Sequence, residues 1–170
     1  MNIGKQFEQQ WRKYTPDYAL LYRIPDSAQS FGQSNGLRFS SKNPFDYILW
    51  DSKGKILYAL ELKTVGRKFI SFERSLTDKG EIHRHQIEGL NEWNKYDGIM
   101  AGFVIFFRED ERTVFLPIES FNQIMKSVPK KSFNMKDLDQ YGIQYSEIET
   151  TNVRTQYKYD VDGLLTELRK

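Results

Sequence analysis

Pro44-Phe45-Asp46-Tyr47-Ile48-Leu49-Trp50, followed beyond a Lys53-Gly54 turn by Leu57-Tyr58-Ala59-Leu60-Glu61-Leu62-Lys63, decides how the rest of the chain is read. Both runs are apolar and rich in residues that favour extended backbone, so they read as two strands of a hairpin. Strand side chains alternate between faces. Asp46, Ile48 and Trp50 therefore share one face of the first strand, and Leu57, Ala59, Glu61 and Lys63 one face of the second. A two-residue turn at Lys53-Gly54 places Asp46 across from Glu61; a four-residue turn moves it opposite Ala59 and leaves the faces unchanged. Two carboxylates and an amine on a half-buried surface are costly unless they hold something, and a divalent cation is the simplest answer.

The rest of the chain supplies the frame. With 170 residues and 39% hydrophobic content the chain can bury one core, and residues 1–170 are expected to form a single domain. No cysteine is present, which excludes disulfides and thiolate zinc sites and fits a reducing interior. The N-terminus lacks the apolar centre of a signal peptide, and no apolar run is long enough to span a bilayer, so a cytoplasmic location without membrane contact is expected. The net charge of +2 is too small to indicate a polyanionic partner; only local clustering could do so.

Phe7, Trp11 and Tyr14 recur at helical spacing before Thr15-Pro16 and predict a first helix with Glu8 at the rim of its apolar stripe. Residues 17–25 read as a strand, 26–43 as a long polar loop, and Phe69-Ile70-Ser71-Phe72 as a short third apolar run. Ile82, Gln86, Leu90, Trp93 and Tyr96 fall on one helical face, with the amide of Gln86 in the middle of it. Ile99 to Phe107 is the most hydrophobic run and reads as a strand buried on both faces. Thr113 to Leu116 is a further strand, 117–127 a helix, 128–131 a basic linker, 135–141 a short helix, 142–150 an edge strand and 159–168 a closing helix. The tryptophans Trp11, Trp50 and Trp93 are expected in the core. His83 and His85, two residues apart on a helix, are expected to point in different directions.

Asp46 and Glu61 carry hard oxygen ligands suited to Mg²⁺, with Mn²⁺ as a substitute, and the carbonyl of Leu62 could add another. Lys63 shares a strand face with Glu61 and could neutralise phosphate charge or take a proton from an attacking water. That set suits phosphodiester hydrolysis. Alone, a Glu-x-Lys pair on a strand is more often a surface ion pair worth at most about 1 kcal/mol. The conjunction with Asp46 and Glu8 strengthens the signal.

These residues resemble the PD-(D/E)xK nuclease superfamily: Asn43-Pro44-Phe45-Asp46, Glu61-Leu62-Lys63, the leading helix with Gly4-Lys5-Gln6-Phe7-Glu8, and the central order strand, strand, helix, strand. Within it, His85-Gln86-Ile87 opening a helix, then Ala101-Gly102-Phe103-Val104-Ile105-Phe106-Phe107, is similar to the RecU-type Holliday junction resolvases, also called penicillin-binding protein-related factor A. The resemblance covers about residues 2–125, with 126–170 as a C-terminal elaboration. It implies an α/β, restriction-endonuclease-like fold, a mixed central sheet flanked by helices, and a homodimeric, Mg²⁺-dependent endonuclease cutting two opposing strands of a four-way DNA junction. By motif position it makes Asp46 and Glu61 metal ligands, Lys63 the catalytic lysine, Glu8 an accessory acid and Gln86 an ordering residue. Cleavage of ordinary duplex DNA, or DNA binding without catalysis on the same fold, are the alternatives. Arg38, Lys42, Arg67, Lys68, Arg74, Lys79 and Arg84 are the candidate DNA contacts. The family's longer basic N-terminal extension has no counterpart here, the 26–43 loop stands where its junction-contacting stalk would be, and the connection from Arg74 to Arg84 is longer.

Overall fold

The fold was described from a computed structural model, which covers residues 2–25 and 42–170. In chain order the elements are α1 (Ile3–Tyr14), β1 (Ala19–Arg23), β2 (Tyr47–Asp51), β3 (Ile56–Val65), β4 (Ile70–Ser71), α2 (Arg84–Trp93), β5 (Ile99–Phe107), β6 (Arg112–Pro117), α3 (Ile118–Ser127), β7 (Ser132–Phe133), α4 (Met135–Gln140), β8 (Ser146–Ile148), β9 (Thr150–Val153), β10 (Gln156–Tyr159) and α5 (Val161–Leu168). Six strands form one sheet in the order β1-β2-β3-β5-β6-β8. Only β3 and β5 run parallel; the other neighbours are antiparallel, so the sheet is mixed. A parallel pair needs a crossover, and α2 provides it. The expected α/β architecture, a mixed central sheet flanked by helices, is the one observed.

The two-residue side-chain period divides the core in two. Ala59, Phe103 and Ile105 face α2, α3 and α4 and pack with Leu90, Phe121 and Leu138. Leu49, Tyr58, Leu60, Val104 and Phe106 face the other way and pack with Phe7 and Trp11 of α1 and Leu164 of α5. β3 and β5 sit in the centre, buried on both sides for most of their length, as the long apolar run 99–107 predicts. Gly102 in β5 lacks a side chain for a packing reason: an added Cβ would stand 2.6 Å from the Leu116 carbonyl oxygen.

The decisive hairpin pairs Tyr47 with Leu60 and Asp51 with Ile56. Its loop has four residues, Ser52 to Lys55, with Lys55 in the left-handed region. Those four are centred on Lys53-Gly54, so the register equals that of a tight turn and carries Asp46 to the level of Glu61 rather than Ala59. The alternation of faces is as read from the sequence. Tyr47, Leu49 and Asp51 are the buried side of β2, whereas Asp46, Ile48 and Trp50 are half-buried. Trp11 is fully buried as expected; Trp50 and Trp93 are only partly so.

Most of the predicted polar loop, residues 26–41 with Arg38, lies outside the described residues. Its two ends are tied together: the Asn43 side chain donates to the Pro25 carbonyl at 2.8 Å, and the Ile24 amide donates to the Asp46 carbonyl at 2.8 Å. The C-terminal part contributes β8 to the edge of the sheet, the β9–β10 hairpin and α5.

Candidate active site

Glu61 lies on β3, one residue past the last ladder pair with β2, where the sheet opens. Its carboxylate is 2% exposed. Oε1 receives Lys63 Nζ at 2.9 Å and the side-chain amide of Gln86. Asp46, just ahead of β2, is a near enough neighbour for its charge to be felt at Glu61. Glu61 Oε2 is buried and meets no hydrogen-bond donor among the described residues.

The electrostatics follow from that geometry. Burial, opposed by Lys63 and reinforced by Asp46, pushes the Glu61 carboxyl from 4.5 up to about 7. Burial also raises Asp46, with Lys63 lowering it and Glu8 raising it. Two acids with raised pKa, one cation and one orphaned acceptor form a site short of positive charge. Among the described residues no group of three or more His, Cys, Asp or Glu side chains converges on one point, so the carboxylate pair stands alone.

Gln86 is fixed at both ends. It is the third residue of α2, and its Oε1 accepts the backbone N–H of His83, the residue preceding the helix, at 2.9 Å. The same amide then has its N–H₂ aimed at Glu61. The oxygen and nitrogen are assigned by these two partners, since only that orientation satisfies both. Close packing seats the helix: an added Cβ at Gly89 would fall 2.3 Å from Pro44 Cβ, so α2 rests directly on the segment leading into Asp46.

Glu8 reaches the site from the α1 side. Its carboxylate accepts the Tyr47 hydroxyl at 2.8 Å and pairs with Arg23 at 3.4 Å. It touches neither Asp46 nor Glu61 directly, though its charge raises the Asp46 pKa. Tyr47 and Arg23, which hold it, were not singled out from sequence; the alternation that put Tyr47 on the face opposite Asp46 was the available signal.

The His83–His85 expectation is overturned. His83 is extended, not helical, and the two rings stack with centroids 5.5 Å apart. His83 Nδ1 lies 2.8 Å from Glu73, and burial, then the charges of Lys42 and His83, lowers the His85 pKa. Arg74 is also corrected. Its guanidinium bonds to the carbonyls of Met125, Val128 and Lys130, closing the C-terminus of α3, so it is not available to DNA. Arg84 pairs with Glu88, while Lys42, Arg67, Lys68 and Lys79 are exposed.

With the geometry in view, comparison with known proteins places the chain. The family model for recombination protein U (RecU) matches residues 65–161, more than half of the sequence. The chain belongs to the RecU family. The RecU match begins two residues past Lys63 and takes in Gln86, so it covers the helix, β5 and the C-terminal strands rather than the carboxylates. A relative, the SPbeta prophage-derived uncharacterized protein YotM of Bacillus subtilis (strain 168), is 31% identical over 183 residues, spanning 99% of this chain and 88% of its own. RecU proteins are recombination proteins, and among the described residues no helix is long and apolar enough to cross a membrane.

Proposed function

We propose that this RecU-family chain is a metal-dependent endodeoxyribonuclease that resolves four-way DNA junctions by symmetric phosphodiester hydrolysis, acting as a homodimer. The observation that carries the reading is the Glu61 carboxylate: buried, pushed up towards neutrality, and left with one oxygen unbonded beside Asp46. An orphaned buried acceptor next to a second carboxylate fits a hard divalent cation, Mg²⁺ or Mn²⁺. Asp46 and Glu61 would hold it. Leu62 N–H and C=O point to the same edge of the strand, so its carbonyl is a third candidate ligand. Bound there, the cation would supply Lewis-acid stabilisation of charge on the phosphoryl oxygens.

The chain's own residues do the rest. Lys63, held on Glu61 at 2.9 Å, places an ammonium where the scissile phosphate must lie and offsets its charge. Gln86 fixes the Glu61 rotamer by holding Oε1, leaving Oε2 without a partner among the described residues. Glu8, held by Tyr47, adds negative potential that favours a cation at Asp46. Exposed Lys42, Arg67, Lys68 and Lys79 surround this end of the sheet in sequence and are the proposed phosphate contacts, with Arg38 and Arg84. Two paired incisions suit a two-fold assembly.

The test is cleavage of a labelled four-way junction beside linear duplex of matching sequence, with and without Mg²⁺. Wild-type protein should cut the junction preferentially and symmetrically. Glu61→Ala and Lys63→Ala should each lower the rate about a thousandfold while binding in EDTA survives. Equal cutting of duplex would move the reading to a general duplex nuclease, and absence of Mg²⁺-dependent cutting of either substrate would sink it.

A further inference from the structure

A cavity of about 160 Å³ lies between α1 and the β9–β10 hairpin, away from the carboxylates, and nothing in the proposed chemistry uses it. Its floor is aromatic: Phe7, Phe106 and Tyr159, with Tyr157 half-buried at the side. Phe106 and Tyr157 meet edge to face with centroids 4.7 Å apart, and the Tyr157 hydroxyl donates to Glu111 at 3.1 Å, so that ring is held in place. The rim is made of primary amides, Gln6, Gln9, Gln10 and Gln156, and no charged side chain lines the cavity. Gln10 Nε2 spends one hydrogen on Gln156 at 3.3 Å, whereas Gln10 Oε1 is buried without a donor. The Tyr159 hydroxyl has no hydrogen-bond partner among the described residues either.

The cavity is well placed for the reaction. In the parallel β3–β5 pair Phe106 is level with Thr64, one residue past Lys63. The two sites therefore occupy the same end of the sheet on opposite faces, with Glu8 on one flank of α1 and Gln6 and Gln10 lining the other site. We infer that this cavity receives an unstacked nucleobase from the bound DNA. Aromatic walls accept the faces and edges of any base, and glutamine amides pair with base edges. Each rim amide carries a donor and an acceptor, so the rim as a whole can take the edge of a base that bears an exocyclic amine, as adenine, cytosine and guanine do. A branch point supplies bases whose stacking is already broken, so extrusion there costs little. An apolar protein side chain would leave the amides unsatisfied, and a charged ligand would find no counter-charge. The inference rests on the proposed function only in taking branched DNA as the partner.

The probe is a four-way junction carrying 2-aminopurine, whose amine can meet Gln10, at the nucleotides flanking the branch point. Fluorescence is read in EDTA, where no cleavage competes. Wild-type protein should change the emission at one position, and Gln10→Leu and Tyr157→Ala should abolish that change. Both variants should bind the junction about tenfold more weakly with duplex affinity unchanged. An abasic nucleotide at the responsive position should weaken wild-type binding by the same factor and Gln10→Leu no further. Unchanged emission with both variants overturns the inference. So does a Gln10→Leu protein that is more thermostable yet binds junctions normally, since the orphaned amide would then be a water site. The emission change without Mg²⁺-dependent cutting would remove the nuclease reading and leave the base pocket standing; cutting without the emission change would do the reverse.

Discussion

Asp51 and Glu61 are both buried acids on the same hairpin, yet they are treated in opposite ways. Asp51 is 0% exposed and saturated: Arg169 donates Nε to one oxygen at 2.6 Å and Nη2 to the other at 3.1 Å, and the Lys53 amide adds a third bond at 2.9 Å. Although burial pushes its pKa up, Arg169 and the Gly54 and Lys53 amides hold it below 3.8. Tyr18 completes the cluster, its hydroxyl receiving Arg169 Nη2 at 2.6 Å. Glu61 has a comparable depth but only two donors among the described residues, both on one oxygen, and its pKa is raised instead. The saturated acid closes the hairpin onto the C-terminal helix. The unsaturated one keeps an unbonded oxygen among the described residues.

The comparison breaks most readily at Asp51. Replacing it by Asn strands the Arg169 guanidinium and should lower Tm by about 5–10 °C, measured by thermal unfolding followed by circular dichroism. Glu61→Gln should leave Tm unchanged or raise it, because it removes a buried group that the fold does not satisfy. A loss at Glu61 equal to that at Asp51 would erase the distinction.

The pH dependence separates the two acids next. Glu61 has a folded pKa near 7 against an ordinary 4.5, so its contribution to stability is fully present below pH 4.5 and is lost as the pH rises through 7. In chelator-treated protein the loss should be on the order of 3 kcal/mol, read from urea midpoints. Glu61→Gln should flatten that slope, and Mg²⁺ should restore stability at the alkaline end. Asp51 has the opposite sign: its contribution is present above 3.8 and is lost only as the pH falls below it.

The smallest change concerns the helix that orders Glu61. Gln86→Leu should keep the fold and lower cleavage about tenfold, with the loss in kcat rather than KM, because it frees the Glu61 rotamer without touching the DNA. A pure KM effect would instead make Gln86 a DNA contact.

How far the sequence disclosed this site depended on range. The hairpin, the 99–107 strand and the Gln86 helix were readable because periodicity and turn chemistry are local; alternation gave the strand faces, whereas the hairpin register depended on where its loop is centred. The β9–β10 hairpin was not seen as such, since Thr151-Asn152-Val153-Arg154 is exposed and carries no apolar alternation. Asp51 gave no signal, because its partner is 118 positions away. The stacked histidines went astray for a different reason: helical geometry was applied to His83, one residue before the helix begins. Arg74 was misread because a basic residue in a charged connection looks solvated until the α3 carbonyls beside it are known.

The clasp at the base of residues 26–41 has a further consequence. Because Asn43 bridges to Pro25 and Ile24 bridges to Asp46, the chain leaves and re-enters the sheet through one fixed gate. The clasp thus lies in the described flanks themselves, and it holds the entry to β2 so that Asp46 stays in register with Glu61.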